Sequence, residues 1–81
     1  MKQRVYSPKS LGIALRRARK LKKLNQKQAG LPFNIEQSTI SSIEQGAAGT
    51  RVETLFRMLA ALDLEMVIQT KQKPPQTAEE W

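Results

Sequence analysis

The chain is 81 residues long and carries 14 Lys or Arg against 7 Asp or Glu, a net charge of +7, with neither cysteine nor histidine. One small domain fits that length, and a core of this size buries only about 60% of the surface the unfolded chain exposes. A disulfide framework and a thiolate metal site are excluded, and the commonest metal ligand and general base are missing, so no enzyme, metal or cofactor is expected.

The first helix is marked at Tyr6-Ser7-Pro8. Ser7 suits an N-cap and Pro8 the first helical position, where a missing N–H costs nothing. Tyr6 and Leu11 take the places of a hydrophobic staple. Leu11, Ala14, Leu15, Ala18 and Leu21 form one apolar face of a helix over about 8–23, with the bases turned elsewhere. A second, short helix is expected from an Asn25 N-cap through Gln26 to about Leu31. Pro32 limits it and should push Leu31 towards extended geometry. Asn34, which tolerates the left-handed conformation, then makes a tight turn.

A third helix is expected over about 37–45, stopped by Gly46. Thr50 and Glu53 have the spacing of a capping box for a fourth helix, with Leu55, Met58, Leu59 and Leu62 as its stripe. From Leu64 the period changes to alternation, Leu64, Met66 and Ile68 against Glu65, Val67 and Gln69, which predicts a short strand over 64–70. The divisions are an arm over 1–6, a folded domain over 7–70 and a polar, proline-bearing tail over 71–81 that ends in Trp81.

Charge is placed unevenly along these elements. Lys2, Arg4, Lys9, Arg16, Arg17, Arg19, Lys20, Lys22 and Lys23 all precede Asn25, and no acid stands among them. A polyanionic partner is implied. The third helix is unusual in another way. Ile40 and Ile43 hold helical spacing, yet Gln37, Ser38, Thr39, Ser41 and Ser42 around them are short or neutral hydrogen-bonding residues, and the serines and threonine are mediocre helix formers. A helix that enters the DNA major groove needs such side chains outward and apolar ones behind. Gln37 can bond adenine in bidentate fashion, and Ser38, Ser41 and Ser42 can reach bases or phosphates. Glu44 falls at the far end, where it repels phosphate least.

Other classes fit less well. Membrane-surface binding through the basic first helix lacks a tryptophan or phenylalanine on the apolar face. An RNA reader usually presents aromatic stacking platforms, and only Phe33 and Phe56 are on offer. No apolar run approaches the roughly 20 residues that span a bilayer, and MKQRVYSPKS lacks the core of a signal peptide; a cytoplasmic protein with no membrane partner is expected.

Residues 11–62 resemble the helix-turn-helix domain of the Xre/phage-repressor family through Arg16, Gln26, Gly30, Ile35, the run Gln37-Ser38-Thr39-Ile40-Ser41, Ile43-Glu44 and Thr54-Leu55. YSPKSL, LFRMLAALDL, LEMVIQT and the terminal EEW extend the resemblance to HipB-type antitoxins over nearly the whole chain. The resemblance implies a mostly α fold of four to five helices, with one short C-terminal β-strand pairing across a homodimer. It implies that Gln26 and Ser41 hold phosphates while Glu36, Gln37 and Ser38 face bases. The candidate base-reading set is Glu36, Gln37, Ser38 and Ser41, and the candidate phosphate set is Gln26, Lys27, Arg16, Thr39 and Ser42. Leu64, Met66, Val67 and Ile68 are the candidate dimer contacts, and Trp81 the candidate partner anchor.

The implied function is an antitoxin that represses its own operon on a pseudo-palindromic double-stranded operator and sequesters a HipA-like Ser/Thr kinase toxin. A stand-alone phage-type repressor would read almost the same way. Gly30 stands where the family usually has alanine, Asn34 where it usually has glycine, and Pro32 is unusual within the second helix. The first two are physically tolerable; Pro32 bears on the length of that helix.

Overall fold

A computed structural model describes residues 1–71. Four α-helices and one 3-10 turn follow in order: α1 Pro8–Leu21, α2 Gln26–Gly30, the turn Leu31–Phe33, α3 Gln37–Glu44 and α4 Val52–Ala61. The start of α1 is a capping box. Ser7 Oγ accepts from the Ser10 amide at 3.1 Å, and Ser10 Oγ accepts from the Ser7 amide at 3.0 Å. Asn25 and Gln28 repeat the arrangement at α2, at 2.7 and 2.8 Å. Two donors that a helix start leaves unpaired are satisfied each time.

The core gathers Leu15, Ala18, Ala29, Ile35, Ile40, Ile43, Met58, Leu59 and Leu62, with Leu11, Leu24, Leu55 and Leu64 packed against it. Leu15, Ile40 and Met58 are buried completely. The isoleucines of α3 therefore do what their spacing predicts. Leu21 does not: it is 64% exposed, while Arg19 on the same helix is only 7% exposed. The apolar stripe of α1 runs Leu11, Leu15, Arg19 at intervals of four, and Leu21 lies off it.

α1, the 3-10 turn, α3 and α4 end in the same way. Lys23, Asn34, Gly46 and Asp63 take positive φ of 60, 58, 91 and 59°. The next amide then bonds five residues back, Leu24 to Arg19, Ile35 to Gly30, Ala47 to Ser42 and Leu64 to Leu59, at 2.8–3.2 Å. These are Schellman endings, in which the residue after the left-handed one returns to the protein. Asn34 and Gly46 carry the sequence signal for it. Lys23 and Asp63 do not, and their geometry is set by where the chain must go next.

Three expectations are corrected. Leu31 is helical, at φ −56 and ψ −49°, with its amide on the Lys27 carbonyl. Pro32 is tolerated beside it because the first residues of a 3-10 turn have no intrahelical acceptor for an N–H anyway. α4 starts one residue later than the Thr50–Glu53 box requires. Its N-cap is Arg51, without a side-chain cap bond, and Glu53 in the first turn instead meets the positive end of the helix. Residues 64–70 form no strand among the described residues. Leu64 turns back to the core and the rest are exposed; strand pairing needs a second strand, and none stands among the described residues.

Gly12 and Gly30 permit two close approaches. A Cβ at Gly12 would stand 2.6 Å from the Glu44 carbonyl oxygen, so α1 lies against the backbone of α3. A Cβ at Gly30 would run into the Ile35 carbonyl and stand 2.7 Å from Ile40 Cδ1. Gly30 is thus more than tolerable. Alanine is the better helix former by about 1 kcal/mol, and propensity alone predicts that Gly30→Ala stabilises. Overpacking against backbone outweighs that, so we expect destabilisation by about 1–3 kcal/mol. A rise in the urea midpoint would contradict the close approach.

Candidate nucleic-acid interface

A buried ion pair holds the head of the domain together. Arg19 of α1 donates from Nε to Glu44 Oε2 at 2.6 Å and from Nη2 to Glu44 Oε1 at 2.8 Å. Its Nη1 donates to the Leu24 carbonyl at 2.9 Å. The side chains are only 8% and 4% exposed. Gln26 at the start of α2 joins the cluster, its Nε2 donating to Glu44 Oε1 at 3.1 Å. One carboxylate therefore ties three helices.

The electrostatics follow from this geometry. Burial pushes the Glu44 carboxyl up, but hydrogen bonds from Arg19 and Gln26, with the charges of Arg19 and Arg16, outweigh it and hold Glu44 below its ordinary value of 4.5. The hydrogen bond to Glu44 raises Arg19 against its desolvation. Neither residue was assigned this role from the sequence, although a signal exists. Arg19 stands four residues after Leu15, and Glu44 four after Ile40, so each apolar stripe carries one charge of opposite sign.

Around this cluster the candidate residues fall into two groups. Glu36, Gln37 and Ser38 are exposed at the head of α3, and Ser42 is exposed one turn on. Thr39 and Ser41 are half-buried, and Ser41 Oγ accepts from Gln45 Nε2 at 3.1 Å. Lys27 is exposed and shares a shallow groove with Leu31, Asn34, Ile35, Glu36 and Gln37. Gln26 and Arg16 come from different helices and meet at Glu44: one bonds it, and the other acts on it through charge. An amide nitrogen has two protons, so Gln26 keeps one donor for an outside acceptor while Glu44 fixes its direction.

Arg19 is withdrawn from the basic surface. The other bases before Asn25 are all exposed, and Lys22 reaches Asp63 at 3.4 Å across open surface, a contact of little energetic weight. Of the candidate dimer residues, Leu64 packs on the core while Met66, Val67 and Ile68 are 49%, 66% and 92% exposed. Lys71 Nζ stands 5.8 Å from the Tyr6 ring centroid, bringing the end of this segment to the N-terminal arm. Trp81 lies outside the described residues. No group of metal-ligating side chains and no helix long and apolar enough to cross a membrane occurs among the described residues.

A helix-turn-helix family profile matches residues 15–68. Antitoxin HipB of Escherichia coli O6:H1 is 32% identical over 79 residues, which cover 96% of this chain and 84% of the relative. A solved HipB–O4 20mer complex superposes with a TM-score of 0.82 at 30% identity, over 88% of this chain and 100% of that one. A HipA–HipB–O2–O3 complex gives 0.81 at 30% identity with the same coverage.

The ion pair yields a prediction about acid. Glu44→Gln leaves Arg19 buried without its countercharge and should cost about 3–5 kcal/mol at neutral pH. Because the folded carboxyl lies below 4.5, the native stabilisation is complete above that pH and disappears as pH falls through the folded value. The stability gap between native protein and variant, measured by urea unfolding, should be constant from pH 7 to about 5 and narrow below 4.5. A gap that is the same at pH 3 as at pH 7 would exclude a depressed carboxyl.

Proposed function

This chain belongs to the helix-turn-helix family and is a HipB-like DNA-binding antitoxin; from that premise we propose that it represses its own toxin–antitoxin operon and sequesters a HipA-type Ser/Thr kinase toxin. The observation that carries the DNA part is the exposed, hydrogen-bonding head of α3, whose back is locked into the core by Ile40 and Ile43, with Lys27 in the groove beside it and Arg16 acting on its far end at Glu44. That is what a helix needs to lie in the major groove and read base edges without shifting. In this reading Glu36, Gln37, Ser38 and Ser41 face bases. Arg16, Gln26, Lys27, Thr39 and Ser42 hold the flanking phosphates. The toxin part is supported by the relative seen in complex with HipA, and Trp81, at the end of a polar tail, is the residue we assign to anchor it.

Base readers and backbone holders separate by experiment. Gln37→Ala should cost about 1–3 kcal/mol on the preferred duplex and relax preference at one base position. Gln26→Ala should weaken every duplex alike. An unchanged sequence preference in Gln37→Ala removes α3 from the reading position.

The operator is bound, on this proposal, by a homodimer. Residues 66–68 expose Met66, Val67 and Ile68 in succession, and their backbone makes no hydrogen bond among the described residues; antiparallel pairing with a second copy would bury both. Two recognition helices would then sit about 34 Å apart, one turn of a pseudo-palindromic duplex. Val67→Pro removes a ladder N–H while keeping an apolar side chain. Sedimentation at micromolar concentration should show a dimer for the native chain and a monomer for Val67→Pro. Deleting residues 77–81 should leave the dimer and operator affinity intact and abolish capture of the kinase. A native chain that is monomeric, or a truncation that still captures kinase, rejects the corresponding half.

A further inference from the structure

We infer that Glu36 selects cytosine in the operator, accepting a hydrogen bond from the cytosine N4 amine at the base position nearest the head of α3. The inference rests on the DNA-reading assignment of α3 and names the base that one residue of it recognises.

The observation behind it is a charge that has no business on a phosphate-binding face. Between residues 1 and 52 the chain has two acids, Glu36 and Glu44. Glu44 is consumed by the buried pair with Arg19. Glu36 is therefore the one exposed carboxylate on the three helices that build the interface, whose exposed charges are otherwise basic, Arg16, Arg17, Lys20 and Lys27 among them. It stands at the N-cap of α3 but makes no side-chain cap bond there. Among the described residues no hydrogen bond or ion pair engages its carboxylate. Lys27 lines the same groove, yet no ion pair joins the two side chains. The backbone holds Glu36 in place nonetheless: its carbonyl accepts from Thr39 at 3.0 Å and Ile40 at 3.1 Å, and Ile35 before it is buried. The carboxylate is thus presented outward from a rigid main chain beside Gln37.

A free carboxylate brought against DNA is repelled by the phosphates whatever the sequence. Only a base-edge donor offsets this. In the major groove guanine shows acceptors, and thymine shows one acceptor and a methyl group. Adenine shows an N6 donor directly beside the N7 acceptor, whose lone pair faces the second carboxylate oxygen. Cytosine shows an N4 donor with no acceptor of its own beside it, which is the edge that glutamate matches. Glu36 in this way penalises wrong sequences more than it favours the right one, a route to specificity that lowers affinity elsewhere.

The test is selection from a randomised duplex pool with the native chain, Glu36→Gln, Glu36→Ala and Gln37→Ala, at one salt concentration. The native chain should require cytosine at one position per half-site, each other base there costing roughly ten- to a hundredfold in affinity. Glu36→Gln should move that position to adenine, since glutamine bonds adenine N6 and N7, and leave the other positions alone. Glu36→Ala should lose preference there only, and both variants should bind a scrambled duplex more tightly than the native chain does. If the Gln37 variant shifts the consensus while both Glu36 variants keep the native one, DNA reading by α3 stands and the cytosine assignment is overturned. A native chain that selects no consensus at all overturns both.

Discussion

The contact between Arg19 and Glu44 carries a larger share of this structure than its two hydrogen bonds suggest. Burying either charge alone would be costly, and both are almost wholly withdrawn from water. The pair therefore holds only with α1 and α3 in one relative position, and any slip exposes an uncompensated charge to a medium that cannot solvate it. Gln26 adds α2 to the same carboxylate. A helix rich in serine and threonine has little tendency to persist by itself, so its rigidity comes from outside. Ile40 and Ile43 supply the apolar part of that support, and Glu44 supplies the direction.

Close backbone approach is the second condition. α1 reaches α3 near Glu44 because Gly12 offers no Cβ, and α2 reaches the strip leading into α3 because Gly30 offers none. Gly30, Pro32 and Asn34 then act together. The glycine allows the turn to close onto Ile35 and Ile40, the proline stiffens the 3-10 turn that follows, and the asparagine absorbs the left-handed residue at its end. The result sets the angle at which α3 leaves α2. Three departures from the usual family pattern thus describe one tightened turn.

Charge is distributed unevenly over the helices. The bases of α1 and α2 attract any duplex, and such attraction is long-ranged and weakens with salt. The head of α3 instead carries exposed neutral donors and acceptors with one carboxylate. On the function proposed above, the basic platform supplies affinity for any duplex and the nearly neutral head of α3 chooses among sequences.

The sequence by itself determined whatever is encoded within one turn of helix or one change of period. Ser7 and Asn25 as caps, Asn34 and Gly46 as left-handed ends, and Leu15, Ala18, Ile40, Ile43 and Met58 as core were all legible, since local hydrogen bonding and helical spacing involve residues at most four apart. The neutral face of α3 was legible for the same reason. Tertiary structure alone decided the rest. Arg19 is buried and Leu21 exposed because α1 is rotated to meet a carboxylate twenty-five positions away, and no single-helix pattern records that rotation. Lys23 and Asp63 are left-handed because Leu24 and Leu64 must return to the core. Residues 64–70 have the alternation of a strand but no partner strand among the described residues, and a β-ladder is a property of two segments.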